Sequence, residues 1–227
     1  MSFAIAISPH GHSQKNTSSV MRWTIFALVP GIAAQCYLFG WGVLFQLLLT
    51  VSTALICETV ILRLRGFAIL PSLRDSSAIL TAALIAVAIP PLLPWWMTVL
   101  ATAFAITIAK QLYGGLGQNP FNPAMVGYVL LLVSFPVPMT TWQVPQSIAS
   151  QTLSPSDTAS IIFNGQTTGG LTSYQLKSLV DGTTMATPLD HLKTESGRGH
   201  AMNELVSAPN FKAISDDGWR WINLSFL

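Results

Sequence analysis

The chain is 227 residues long; 51% of it is hydrophobic, 9% is charged, and its net charge is +2. A soluble domain carries about 25% charged residues, so the composition excludes an ordinary water-facing surface and points to an all-α integral membrane protein. There is no basic stripe with interleaved aromatics, which argues against nucleic acid as a partner.

Residues 1–22 open with MSFAIAISPHGHSQKNTSS. They lack a basic n-region followed by an apolar h-region and a small-residue cleavage site, so they read as a cytoplasmic N-terminal segment and not as a secretory signal. Five apolar runs follow within residues 23–139: Trp23 to Phe39 (with a kink expected at Pro30-Gly31), Val43 to Leu62, Ala78 to Leu93 with its PPLLP ending, Trp95 to Ala109, and Ala124 to Val137. A full span takes about 17–25 residues. The last three runs are short by that measure, so either their ends extend into flanking residues or some helices are broken inside the protein. The expected fold is a bundle of five transmembrane helices.

Lys and Arg set the orientation. Lys15 and Arg22 precede the first run, Arg63, Arg65 and Arg74 fall in the second connection, and Lys110 is assigned to the fourth; the first and third are uncharged. The alternation puts the N-terminus in the cytoplasm and sends the fifth helix outward. Residues 140–218 then form a long extracytoplasmic, periplasmic segment that holds seven of the nine carboxylates. A connection of that length is functional or disordered. Residues 219–227, WRWINLSFL, read as an interfacial tryptophan anchor opening a sixth span, as in part of a longer protein.

Several residues invite chemistry. Cys36 and Cys57 are read as free thiols that pack. Glu58, an acid inside a span, is a functional candidate by default, but pairing with nearby Arg63 and Arg65 is the cheaper reading. His191 and His200 lack metal-ligand spacing and read as surface residues. GGLGQNPFNPAM has the glycines of a phosphate loop without its Lys-Ser/Thr; it reads as a re-entry turn, the other option being an ion or flavin path lined by Asn119 and Asn122.

In the outer segment, LTSYQLKSLV is spaced as a short helix that Asp181-Gly182 ends, and Thr183, Thr184, Met185, Ala186, Thr187, Pro188 follow. Pro188 biases Thr187 to an extended backbone and suits the first position of a helix. Thr187 is thus a natural N-cap, with Asp190 three residues on. The same geometry suits a phosphate on the Thr187 oxygen, because a helix N-terminus presents unpaired N–H groups and a positive dipole end. Local physics does not separate these two uses.

AKQLYGGLGQNPFNPAMVGYVLLL (Ala109 to Leu132) followed by DGTTMATPLD (Asp181 to Asp190) resembles the D subunit of the Rnf ion-translocating electron-transport complex and, more distantly, the B subunit of the sodium-pumping NADH:quinone reductase. The resemblance covers essentially the whole chain, including SPH near the start and the VPGIAAQ and FGWG segments. It implies a ten-helix fold of which this chain holds the first half. It also implies FMN held by a phosphoester on Thr187, the phosphoryl threonine of a (Ser/Thr)-x-Ala-Thr pattern in which Thr184 keeps the hydroxyl. Met185 departs from the small residue common there. Asp181 matches the family's upstream acidic residue, whose role is either to orient the motif or to bind a transferase metal. A second, non-covalent flavin belongs to the family's expectations but is not placed by these residues.

The implied function is that of a redox subunit in an ion-translocating ferredoxin:NAD oxidoreductase of the bacterial inner membrane. It relays electrons coupled to Na+ or H+ transport and is not an enzyme on its own. The implied partners are the A, B, C, E and G subunits of the Rnf complex, a flavin transferase, and membrane lipid. The competing readings are half of a multi-pass transporter or channel, and a scaffold subunit whose flavin motif is unused.

Overall fold

A computed structural model describes residues 16–115, 117–143, 145–146, 149, 152–172, 188–207 and 219–227. Apart from one isolated bridge between Gln166 and Thr172, the described residues form helices and turns. In chain order the helices are α1 (Thr17–Phe39), α2 (Gly42–Leu64), α3 (Ile69–Leu73), α4 (Ser77–Ala88), α5 (Trp95–Phe104, continued by a π-helical stretch Ala105–Leu112), α6 (Pro123–Ser134), α7 (Pro136–Thr140), α8 (Pro155–Asn164), α9 (Pro188–Gly197), α10 (Met202–Ser207) and α11 (Arg220–Ser225). Among them α2 alone is both long and apolar enough to cross a membrane by itself, while α4 and α6 are apolar but 12 residues each. α1 passes through Pro30 without leaving the helix.

Local sequence explains where these helices stop and start. α4 ends at Ile89, whose extended backbone (φ −94°, ψ 153°) is what the following Pro90 demands. α5 restarts directly after Pro94. The run Ala78 to Leu93 is therefore not one long helix but a half-length helix followed by irregular backbone. α6 begins with Pro123 at its first position, and the Asn122 side chain accepts from the Ala124 amide at 3.0 Å, an ordinary N-cap.

Irregular backbone inside an apolar structure leaves carbonyls without donors, and each must be satisfied within the protein. Two glutamines do so. Gln35 on α1 donates to the Val87 carbonyl at 3.1 Å. Gln46 on α2, fully buried, donates to the Leu93 carbonyl at 2.7 Å and the Pro91 carbonyl at 3.3 Å. Hydroxyls are handled more simply: Thr24, Ser52, Thr59, Thr81, Thr102 and Thr107 each donate to the carbonyl four residues back.

α2 packs against α4 and α5, α1 against α4, and α6 against α4, α5 and the π stretch. One core runs through Ile85, Ile89, Leu93, Met97, Ala101 and Leu131. Glycine sits at two close backbone approaches: a Cβ on Gly127 would lie 2.7 Å from the Ala101 carbonyl oxygen, and one on Gly42 2.7 Å from that of Pro91. Small residues at such crossings allow helices to pack without a hydrophobic driving force between them. Outward-facing Trp23, Phe26, Leu48, Ile56 and Val133 are exposed, which is consistent with a membrane protein.

A second apolar cluster closes one end of the bundle. Phe39, at the end of α1, meets Trp142 and Trp219 with ring centroids 5.8 and 5.6 Å away, and the two tryptophans are 5.1 Å from each other. Ile222 of α11 joins this cluster, so the last helix packs on the first.

Candidate functional site

The residues expected to carry FMN, Thr187, Thr184 and Asp181, lie outside the described residues, as do 173–180 of the helix expected before them. What is described is the element that follows: α9 begins at Pro188, the first helical position at which proline is favoured. A helix starting directly after Thr187 fits a phosphate there, because its first amides have no partner within the helix. His200 lies at the surface, 3.6 Å from Glu195, in the connection after α9.

The described bundle contains a polar site of its own, at the α2 end that carries Arg63 and Arg65. Glu58, Lys110 and Gln111 are all buried, Glu58 at 1% exposure and Lys110 at 2%. The Lys110 ammonium donates to Glu58 Oε1 at 2.5 Å, and the Gln111 amide donates to the same oxygen at 3.0 Å. Arg65 donates to the Gln111 carbonyl at 2.8 Å and lies over the Phe67 ring. The second carboxylate oxygen, Glu58 Oε2, is buried with no hydrogen-bond partner. Glu58 also lines a cavity of about 240 Å³, together with Arg65, Asp75, Lys110 and Gln111.

This arrangement corrects two expectations. Lys110 is not in the fourth connection but inside the π-helical stretch, turned into the protein. Glu58 does not pair with Arg63 or Arg65; its partners come from the end of α5. A π stretch shifts the positions behind it around the helix axis and is often found at functional sites. Here it coincides with the point where an amine and an amide from consecutive residues reach one oxygen.

The glycine-rich turn next to this site behaves as a turn. Gly114, Gly115 and Gly117 all have positive φ, which glycine adopts without a steric cost. Asn119 donates to the Phe121 carbonyl at 2.7 Å, and Asn122 caps α6, so both asparagines are engaged locally. Cys36 and Cys57 are free. Cys36 borders a second hollow, of about 520 Å³, with Tyr37, Trp41, Leu44 and Gln146.

A model of the NQR2, RnfD, RnfE family matches residues 4–227. The chain belongs to this family. It is 76% identical over 227 residues to the D subunit of the ion-translocating oxidoreductase complex of Tolumonas auensis. It is 52% identical over 228 residues to the proteins of the same name from Salmonella enteritidis and Salmonella gallinarum. In each case 100% of this chain and 65% of the relative are covered, so the chain spans just under two thirds of the length of the curated relatives it matches. The resemblance to the Rnf D subunit drawn from the two motifs is borne out. In this NQR2, RnfD, RnfE family chain, the AKQLYGGLGQNPFNPAM motif also supplies Lys110 and Gln111 to the buried polar site.

Proposed function

We propose that this chain serves as the D subunit of an ion-translocating ferredoxin:NAD oxidoreductase complex of the bacterial inner membrane, carrying FMN on Thr187 through a phosphoester. The observation that carries this reading is the match over residues 4–227, together with 76% identity to a relative that bears the D-subunit name. The start of α9 at Pro188 supports a phosphate on the preceding threonine. Five spans with a cytoplasmic N-terminus, and residues 140–218 on the periplasmic side, are the topology proposed with it. The basic residues Arg22, Arg63, Arg65 and Arg74 support that orientation.

When bound, FMN supplies one-electron redox chemistry, and the protein's part is to hold and orient it. Thr187 would provide the ester oxygen, with Thr184 and Asp181 shaping the segment for the flavin transferase. The partner subunits would supply the electron donor and acceptor, and the helical bundle the setting for coupled movement of Na+ or H+.

The test is a denaturing gel viewed under ultraviolet light, with the full-length protein made alongside a flavin transferase and a Thr187→Val variant beside it. Valine keeps the shape of threonine and removes the ester oxygen. A fluorescent band lost in the variant is the expected result. A fluorescent variant, or a dark wild type, overturns the Thr187 assignment and returns that residue to a helix cap. Flavin that survives denaturation also separates this function from the half-transporter and scaffold readings.

A further inference from the structure

A carboxylate buried among apolar helices is expensive unless donors surround it. Glu58 is served on one side only: Oε1 takes both the Lys110 ammonium and the Gln111 amide, while Oε2 takes nothing. A purely structural ion pair gains most when the remaining lone pairs are also satisfied, and this one leaves Oε2 unpartnered in a residue that lines a cavity. The cavity of about 240 Å³ has Glu58 and Lys110 as buried lining, and Arg65 and Phe67, both exposed, at its rim. It is therefore reached from the protein surface, at the end of the bundle where α2 and the π stretch finish.

Four charged groups line the cavity, while α3 and the glycine turn border it only through Ser72, Gly114 and Gly115. The four are Arg65 from the end of α2, Asp75 from the turn before α4, Lys110 from the π stretch, and Glu58 itself. Asp75 is already engaged, accepting from the Ser77 amide at 2.8 Å and the Ser77 hydroxyl at 2.6 Å. Arg65 is engaged with the Gln111 carbonyl. Two positive and two negative groups leave the site neutral, and among the described residues lining this cavity Glu58 carries the one buried side-chain oxygen, Oε2, without a hydrogen-bond partner.

We propose that Glu58 is an entry site for the transported monovalent cation, with Oε2 as the receiving oxygen and Lys110 as a tethered counter-charge that holds the site neutral until the cation arrives. An arriving Na+ is coordinated by Oε2. An arriving proton forms an O–H bond there, and hydronium leaves as water. In both cases the site gains one positive charge, which makes the Lys110 ammonium surplus and weakens its hold on Oε1. Lys110 sits in a π stretch, a rare helical form frequently found at functional sites. Lys110 is a positioning residue in this scheme, and Glu58 is the ligand.

The inference rests on the reading above, that the chain serves an ion-translocating complex, and the experiment keeps the two apart. Membrane vesicles containing the complete complex, with the full-length protein in place, are energised with its electron donor. Radioactive Na+ uptake and an internal pH dye are read beside the rate of electron transfer. Wild-type vesicles test the reading: with neither ion moving, both the reading and the inference fall. Given wild-type uptake, Glu58→Gln is expected to abolish ion movement per electron while the protein still assembles and its flavin band is retained. Whichever signal is lost, Na+ or pH, identifies the cation.

Because Glu58→Gln leaves Lys110 without a counter-charge, a Glu58→Gln/Lys110→Gln double variant removes both charges together. An ion pair that only holds the helices in place tolerates this neutral replacement, and coupled transport returns. An entry site does not recover, because no carboxylate is left. Assembled double variant with coupled uptake at the wild-type ratio overturns the proposal. In Lys110→Gln, the loss of the competing ammonium is expected to lower the cation concentration needed for half-maximal uptake; an unchanged or raised value counts against the role given to Lys110.

Discussion

Thr98 donates a hydrogen bond to Gln46 Oε1 at 2.7 Å across a separation of 52 residues, and Lys110 donates to Glu58 across the same 52. A constant offset between two helices means that they run in the same direction with matched rise. α2 and α5 are therefore parallel neighbours, tied at two levels about 18 Å apart along the axis, as 12 residues at the α-helical rise imply. One tie braces the broken backbone after α4 and the other forms the buried charge site. The Arg65 end of α2 and the Lys110 end of α5 thus lie at the same end of the bundle.

Gln46 is the upper tie, and its loss is costly in proportion to what it leaves stranded. Gln46→Leu keeps the volume but frees the Pro91 and Leu93 carbonyls and the Thr98 hydroxyl. Each stranded buried group costs about 1–3 kcal/mol. A lowered thermal midpoint of the purified protein in detergent checks this, and Gln46→Glu, which sets a buried carboxyl against the Pro91 and Leu93 carbonyls, is expected to lower it as well.

Gly127 and Gly42 sit where backbones touch. Alanine at either would press its Cβ against a carbonyl oxygen that has nowhere to go, and overpacking of this kind costs about 1–3 kcal/mol. Gly197, with open space around it and no positive φ, is the control. Gly197→Ala should leave the thermal midpoint unchanged or slightly raised, and a similar drop in all three variants would count against the close-approach argument.

Asp157 responds to acid. Hydrogen bonds from the Ser154 hydroxyl, then from the Thr168 hydroxyl and amide, hold its carboxyl below the ordinary aspartate range. A depressed value in the folded state means that the ionised group favours folding above the unfolded value. That contribution fades as pH falls through the folded one. The turn that ties residue 168 to the start of α8 should therefore loosen below about pH 4, where an unfolded aspartate begins to protonate. Limited proteolysis between residues 152 and 172 across the pH range reads this out. Asp157→Asn should flatten the dependence.

Asn122 caps α6 through the Ala124 amide. Asn122→Ala should cost about 1 kcal/mol, whereas Asn122→Asp should be close to neutral. An ion or flavin path lined by this residue would instead show a transport or flavin defect in the aspartate variant at unchanged stability.

Much of the bundle was legible because its signals are local. The run Val43 to Leu62 lies within α2, the Pro90–Pro94 stretch marks a true break, and Pro188 opens a helix. The buried charge site was not legible, for two physical reasons. Lys110 follows an apolar run and precedes a glycine turn, so by pattern it belongs to a connection, whereas the π stretch carries it back into the interior. Glu58 has arginines five and seven residues on in sequence, yet the partner it meets is set by the pairing of α2 with α5, which no periodicity encodes. The flavin residues stand differently: their assignment rests on a sequence pattern, and the described residues add only the helix that begins behind them.

The contact between Trp142 and Trp219 has a consequence for how this architecture varies. The chain leaves the bundle beside one tryptophan and returns beside the other, and in between it touches the bundle again: the Gln146 amide donates to the Leu38 carbonyl, Phe163 of α8 stacks on Trp95, and α8 packs on α2. Doubling the chain between the two tryptophans would cost about 0.6 kcal/mol in closure entropy, far less than one misplaced core residue. Added length is thus cheap for the bundle wherever it leaves the Leu38 and Trp95 contacts in place.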